Sequence, residues 1–222
     1  MQKFDTTAPI AAVLDIPAAR IRLVAADRPD TTVEVRPADA TKERDVKAAD
    51  QIRVDYADGV LRVEAAPPSN RLFGNSGAAD VTVHLPTGSR VNAKVAAAQF
   101  HGTGNFGEVT VDAAQADITL DETASAHLTV QSGSVVVARL LGPAEISTQK
   151  GDIKVAEATQ GAVTLTTQSG DITIDAASGA SASLDAGTPY GRIHNALRNT
   201  DGEPALTIRA TTNYGNVTAR SL

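Results

Sequence analysis

Apolar and polar residues alternate with a period of two along almost the whole chain, and one pattern repeats three times between residues 126 and 175. It consists of a short alternating strand, a polar corner that ends in glycine, and a second short strand. The three corners are Gln131–Gly133, Gln149–Gly151 and Gln168–Gly170, so their glycines lie 18 and 19 residues apart. A repeat of this length indicates a solenoid, in which each repeat stacks on its neighbours.

The first 88 residues alternate in the same way but do not repeat at a fixed length, which predicts antiparallel strands. The Asp58-Gly59 pair predicts a hairpin turn, because Asp-Gly accepts the positive φ that such turns require. Residues 37–50 favour either a short exposed helix or an irregular crossover. Residues 65–79 are rich in Pro, Gly and Ser and predict a loop, in which Leu72 and Phe73 either pack down or contact a partner. The predicted strands of this region are 11–16, 20–25, 32–36, 51–56, 60–64 and 80–85.

From residue 89 onward the pattern predicts stacked rungs, each rung being two short strands joined at a corner. The predicted fold is all-β: antiparallel N-terminal strands over residues 1–88 continue into a right-handed β-solenoid, similar to a β-helix, over residues 89–222. The repeat length gives roughly six rungs, and the hand follows the general preference for right-handed crossovers. We expect residues 1–222 to form one all-β domain.

Composition narrows the classes of function. The chain has 222 residues, of which 42% are hydrophobic and 3% aromatic, with no Trp, so the core must be built from Val, Ile, Leu and Ala. The net charge is −6 with Lys and Arg scattered, which excludes the basic surface of a nucleic-acid-binding protein. The chain has no Cys, which excludes disulfides and thiol chemistry.

The beginning of the sequence does not resemble a signal peptide, because the apolar run Ile10–Leu14 is short and Asp15 ends it. No stretch approaches the 18 or more apolar residues of a transmembrane segment. We therefore expect a cytoplasmic protein without a membrane span, with a surface or secreted location as the alternative.

Three aspartates are the first candidates for chemistry. Asp152 and Asp171 take the same corner position in successive rungs, which predicts that they stack about 5 Å apart, and Asp117 precedes Ile118 in a similar way. Stacked carboxylates can hold Ca²⁺ or act as an acid–base pair. We favour the simpler interpretation that they are solvated corner residues that cap backbone amides.

A glycine-rich segment holds the other candidates, Phe100, His101 and Phe106. Residues 102–107 match GxGxxG, but a strand follows where a dinucleotide site needs a helix, so we interpret the segment as a corner. The two phenylalanines are predicted either to contact a partner or, as we favour, to cover the open end of the solenoid. His101 is the most reactive-looking of the four histidines, although we favour a structural or surface role. We assign no catalytic, cofactor-binding or metal-binding residue and expect no cofactor.

The segment LPTGSRV at 85–91, followed by GEVTV, SGSVVV, KGDIKV and SGDITI, resembles the bacterial putative-adhesin family of β-strand-repeat proteins. That family is a domain of unknown function related to the head domain of auto-transporter adhesins, and it supplies no catalytic residues. The resemblance implies a non-enzymatic scaffold or binding module that presents strand faces and corner rows to an unknown protein or cell-surface partner.

Two alternatives to this function stay open. The first is a carbohydrate-binding or carbohydrate-active β-helix that uses the stacked corner carboxylates, although 3% aromatic residues leaves few sugar-stacking platforms. The second is self-association through the ends of the solenoid, because an exposed strand edge can pair with another chain.

Overall fold

A computed structural model describes residues 1–66, 77–199 and 203–222, and the described chain is all-β apart from one short helix. Leu72 and Phe73, for which packing or partner contact was predicted, lie outside the described residues. The helix α1 is Glu43–Asp50, so the helical alternative for residues 37–50 is confirmed. In chain order the strands are β1 Gln2–Asp5, β2 Ala11–Ala26, β3 Asp30–Pro37, β4 Ile52–Ala57, β5 Val60–Ala65, β6 Ala79–Pro86, β7 Arg90–Ser132, β8 Val135–Leu140, β9 Ala144–Lys150, β10 Ile153–Ala158, β11 Gly161–Ser169, β12 Ile172–Ala176, β13 Ala182–Gly187, β14 Ile193–Ala196, β15 Leu206–Tyr214 and β16 Val217–Ser221.

The predicted hairpin is also confirmed. Strands β4 and β5 pair antiparallel, and Asp58 and Gly59 between them have φ angles of 50° and 76°. Positive φ at both central residues is the conformation that Asp-Gly accepts at little cost.

The repeats form two ladders of parallel strands, which gives the fold its solenoid-like character. One ladder runs β7–β9–β11–β15–β13 and the other runs β7–β8–β10–β12–β16–β14. Equivalent residues of the three copies, Val135, Ile153 and Ile172, are in register, and Ile118 of the preceding rung aligns with them. The predicted stacking of the three copies is therefore confirmed.

The order of stacking differs from the order of the chain at both ends. Strands β15 and β16 lie between β11/β12 on one side and β13/β14 on the other. The chain therefore forms the last rung of the stack with β13 and β14 first, and then turns back to place β15 and β16 in the position before it. At the other end, β2 lies between β7 on one side and β5 and β6 on the other. The first long strand of the chain, β2, and its last two strands, β15 and β16, thus lie inside the stack and not at its ends.

The prediction of antiparallel strands over residues 1–88 is wrong for β2, which pairs in parallel with β5, β6 and β7. Among the described strands, antiparallel pairing is confined to β1–β3, β3–β6 and β4–β5. The alternation of apolar and polar residues has period two in both kinds of sheet, so it cannot distinguish them.

The inward residues of both ladders form one contiguous apolar cluster that extends from Ile10 to Ala219. Its members are mainly Val, Ile, Leu and Ala, as the composition predicts. The helix α1 has eight residues, and within the described residues no helix is long and apolar enough to cross a bilayer.

The two ends of the stack differ in how well the core is covered. At the end formed by β5 and β6, here called the closed end, the antiparallel strands β4 and β3 cover Leu61 and Val81, which are both 0% exposed. At the opposite end, here called the open end and formed by residues 182–196, Ile193 continues the apolar column of Ile172 and Val217 but is 47% exposed.

Candidate functional site

The three candidate aspartates belong to one row of corner residues, here called the corner row, which takes the same position in successive rungs. In stacking order its members are Asp117, Ser134, Asp152, Asp171, Asn216 and Arg192. Four of the side chains each use one oxygen to accept the backbone N–H of the next residue in the row. The N···O distances are 3.0 Å for Asp117–Ser134, 2.8 Å for Asp152–Asp171, 2.7 Å for Asp171–Asn216 and 3.1 Å for Asn216–Arg192.

Backbone hydrogen bonds run in the opposite direction at the same corners. The N–H of Ile153 donates to the carbonyl of Asp171, and the N–H of Ile172 donates to that of Asn216, at 2.9 and 2.8 Å. At the four capped steps, each corner is therefore held to the next by one side-chain contact in addition to backbone contacts.

The corner carboxylates do not assemble as metal ligands would. Asp152 and Asp171 are neighbours, but Ser134 separates Asp117 from Asp152. In the parts of the chain that the structure describes, no three His, Asp or Glu side chains come together in a way that could hold a cation. What the arrangement does chemically is satisfy backbone amides at an exposed turn.

A column of buried threonines supports the corners from inside. The hydroxyls of Thr148, Thr167 and Thr212 donate to the corner carbonyls of Gly133, Gly151 and Gly170 at 3.4, 3.2 and 2.9 Å. Sequence analysis missed this column, although the signal is visible: a threonine stands three residues before the corner glycine in each of these rungs.

Neighbouring rungs approach each other too closely at the corner glycines for any residue other than glycine. Gly170 has a φ of 154°, and a Cβ at this position would lie 2.0 Å from the carbonyl oxygen of Gly151 in the neighbouring rung. No side chain can be placed at that distance, so the backbone approach that carries the hydrogen bonds depends on glycine.

Phe100 and Phe106 occupy core positions, which corrects both roles predicted for them. They are 1% and 0% exposed, so neither ring can contact a partner. Phe100 also lies inside the stack rather than at its end, because β2 flanks this part of β7 with Ile21 opposite Phe100. The ring of Phe106 fits over Gly102, where a Cβ would be 3.0 Å from the ring.

His101 and Asp117 come together at a shallow depression of about 360 Å³ on the outer face. Arg22 stands opposite His101 in the register of β2 and β7, and Arg20, Gln99 and Thr119 complete the polar lining. Asp117 already accepts the Ser134 amide, whereas Arg22 makes no ion pair within the described residues. The depression thus offers several hydrogen-bond donors beside one carboxylate in an open setting.

The open end carries an aromatic pair that sequence analysis also missed. The rings of Tyr190 and Tyr214 stack with centroids 5.0 Å apart and an angle of 7° between their planes. They are 67% and 59% exposed, and Ile193 lies three residues after Tyr190. The signal in the sequence is the Tyr-Gly pair that occurs at both 190–191 and 214–215.

Comparison with known proteins gives one family and several solved structures. The sequence matches the Toastrack DUF4097 family over residues 13–220. A putative lipid binding protein from Parabacteroides distasonis is 12% identical, with a TM-score of 0.48 over 97% of this chain and 95% of that one. A putative adhesin from the same species is 16% identical, with a TM-score of 0.45 over 98% and 95%. A putative adhesin from Bacteroides fragilis is 13% identical, with a TM-score of 0.45 over 100% and 95%. No curated protein matches the chain at a significant level.

Proposed function

This chain belongs to the Toastrack DUF4097 family, and we propose that it is a non-enzymatic β-solenoid scaffold or binding module for a protein or cell-surface partner. The observation that carries the proposal is the use of the corner carboxylates. Asp117, Asp152 and Asp171 are the residues that most resemble active-site groups, and each of them caps a backbone amide of the next rung.

The outer faces support the same proposal. Thr129 and Ser147 lie side by side on neighbouring strands, with a hydroxyl–hydroxyl distance of 3.4 Å, and His127 faces Glu145 at 3.5 Å. Such regular rows of polar groups form a flat surface, which suits contact with another macromolecule better than enclosure of a small substrate.

The proposal is tested with the full chain and with its Asp117→Asn and Asp152→Asn variants. We expect no release of reducing sugar ends from a panel of polysaccharides by any of the three proteins, and we expect saturable binding of a component recovered by cross-linking in the native host. Polysaccharide cleavage that the Asp117→Asn or Asp152→Asn substitution abolishes would overturn the proposal.

A carbohydrate-binding role is the second candidate, because the depression at His101 combines polar side chains with apolar surface and Tyr190 presents an exposed ring. Calorimetry with the same polysaccharides tests it, together with melting curves in Ca²⁺ and in EDTA. Saturable binding that the His101→Ala variant loses would favour it, and the absence of binding and of any shift in Tm would exclude it.

Three finer features belong to the proposal. We take the parallel stack to be a right-handed solenoid, because crossovers between parallel strands have that hand, with roughly six rungs after residue 89. We take residues 1–222 as one domain, which the continuous core supports. We take the location to be the cytoplasm or the cell surface. Fractionation of the native host separates these two locations, and a crystal structure gives the hand.

A further inference from the structure

We propose that the open end binds an extended acidic peptide segment, which pairs as an added strand with β14. This inference rests on the proposed binding function and names the site and the chemical class of the partner. Four features of residues 182–196 and their neighbours, as seen in the described parts of the chain, lead to it: an uncovered apolar column, an unpaired strand edge, an excess of positive charge, and an exposed aromatic ring.

The apolar column is incomplete at Ile193. Val135, Ile153, Ile172 and Val217 precede it in register and are each at most 1% exposed, because another strand lies on both sides of them. Ile193 has a strand on one side only within the described residues, and it is 47% exposed. An added strand with an apolar residue at this position would bury it, as Val217 and Ile172 are buried.

The backbone of β14 is ready to accept such a strand. The carbonyl of Arg192 accepts the N–H of Val217 at 2.9 Å, so the N–H of Ile193, on the opposite side of the same peptide, faces away from β16. In an extended strand the N–H groups of alternate residues point to the same edge, so the N–H of Asn195 also faces away from β16. In the described parts of the chain, no backbone hydrogen bond reaches this outer edge of β14. Unpaired edges of this kind bind peptides by strand addition.

The charges of the open end favour an acidic partner. Residues 180–199 carry Arg192, Arg198 and His194, all of them exposed. The one carboxylate in this stretch, Asp185, is already paired with Arg209 at 3.1 Å. Neither Arg192 nor Arg198 has an ion-pair partner within the described residues.

The alternation of β14 fixes where the acidic residues of the partner should stand. Ile193 lies in the core column, so Arg192 and His194 point to the outer face. Neighbouring strands of a sheet direct residues in register to the same face. A partner strand should therefore alternate apolar residues, over Ile193, with acidic residues beside Arg192 and His194.

The stacked tyrosines extend the site beyond the strand edge. Tyr214 is in register with Ser169 of β11, and Tyr190 stacks on Tyr214 at the last position of the column. One face of the Tyr190 ring thus lies against Tyr214 and the other faces outward, where a side chain of the partner can pack.

A second copy of this chain fits the open end less well. Two open ends related by a two-fold axis would bring Arg192 and Arg198 of both copies together, and like charges across an interface are unfavourable. The closed end is no better as an acceptor, because strands β3 and β4 already cover its core.

The test uses the full chain and labelled synthetic peptides of about eight residues, the length of an ordinary strand. The probe alternates Val and Glu, one control peptide alternates Val and Lys, and a second control has the probe's composition with Val and Glu in separate blocks. Fluorescence anisotropy at low salt should give saturable binding of the probe and at least about tenfold weaker binding of both controls.

Variants of the chain separate strand addition from simple attraction between charges. Arg192→Glu and Ile193→Asp should each weaken probe binding at least about tenfold. Asn195→Pro removes an outward N–H without removing a hydrogen bond to β16, and it should weaken binding to a similar degree. Arg53→Glu makes the same charge change at an exposed position of β4, at the closed end, and should leave binding unchanged. Circular dichroism and melting curves show which variants are folded.

Several outcomes would overturn the inference. They are the absence of probe binding, equal binding of the Val–Lys or the block peptide, binding that survives Asn195→Pro, and a dimer in light scattering that Ile193→Asp dissociates. Recovery of a partner on another face would leave the proposed binding function standing while removing this site. Polysaccharide cleavage would remove the proposed function itself.

Discussion

The two ends of this molecule are built from the same kind of rung but finish differently. At the closed end, β4 pairs antiparallel with β5 and β3 pairs antiparallel with β6, so the last rung of the parallel stack is covered on its outer side. Phe4 and Tyr56 add an aromatic contact there, with ring centroids 5.3 Å apart. At the open end, β13 and β14 have strand neighbours on one side only within the described residues.

This difference shows what is needed to finish a stack of parallel rungs. Every rung presents an apolar column and a strand edge to the next position, so the stack needs a terminating element at each end. The N-terminal strands and α1 supply that element at one end. The open end has instead Tyr190 and Ile193 exposed beside Arg192 and Arg198, which make no ion pair within the described residues, and exposed aromatic and arginine side chains are typical of contact surfaces.

The largest expected effect compares the same substitution at the two ends. Leu61 at the closed end is 0% exposed, whereas Leu184 at the open end is half-buried. Leu61→Ala should lower the free energy of unfolding by about 2–5 kcal/mol, because it removes buried methyl groups and leaves a cavity. Leu184→Ala should cost less than half as much, as measured by urea denaturation. Equal losses would mean that the open end is covered in solution.

A second comparison concerns two glycines with positive φ. In Gly170→Ala the new Cβ would lie 2.0 Å from the carbonyl oxygen of Gly151, whereas at Gly179, on the way to the open end, nothing lies within 4 Å. Both substitutions carry backbone strain of about 1–3 kcal/mol. Gly170→Ala should cost more, because two rungs must also separate. Thermal melting checks this, and a smaller loss at Gly170 than at Gly179 would contradict the close packing of the corners.

A third comparison uses the corner row. Asp152→Ala removes the acceptor of the Asp171 amide, which should cost about 0.5–1.5 kcal/mol. Arg192→Ala changes the last member of the row, whose side chain caps no further rung in the described residues, and it should leave the stability unchanged. A loss of stability at Arg192 as large as that at Asp152 would show that the row continues beyond the open end.

The smallest expected effect is a pH dependence at the closed end. Hydrogen bonds from Arg28 and Lys3, at 2.7 and 3.0 Å, lower the pKa of Asp30 from 3.8 to about 2. A carboxylate with a lowered pKa stabilises the folded protein above its unfolded pKa, and this contribution disappears as the pH falls through the folded value. The difference in Tm between the protein and Asp30→Asn should therefore be present at pH 5, decrease as the pH falls below about 4, and vanish only below about pH 2. A difference that persisted below that pH would contradict the role of this ion pair.

The sequence predicts the parts of this fold better than their order. The alternation and the corner glycines predict the strands and the register of the three copies, because each copy must place apolar residues inward and glycine at the corner. They do not predict that Asp171 caps Asn216 rather than Arg192, since both corners have the same pattern. Pro189 and the short strands β13 and β14 are the available signals, because proline and short strands suit the edge of a sheet.

The candidate site also combines features that the local sequence pattern predicts with features that depend on the stacking order. The interpretation of the aspartates as caps needs only the local corner geometry, which the repeat supplies. The roles given to Phe100 and Phe106 depended on where their segment lies in the stack, and that position is set by β2 on the outer side of β7. The two Tyr-Gly pairs mark similar corners in the sequence, but the contact of Tyr190 with Tyr214 and the exposure of Ile193 follow only from the stacking order, because the two tyrosines belong to different rungs.

The most direct test of the difference between the two ends is amide hydrogen exchange measured by NMR on the full chain without any partner. Strand β6 is paired on both edges, by β2 and β3, whereas β14 is paired only by β16 in the described residues. We predict slow exchange along β6 and, in β14, fast exchange at Ile193 and Asn195 with slower exchange at His194 between them. Equal protection of β6 and of all the β14 amides would contradict an open end.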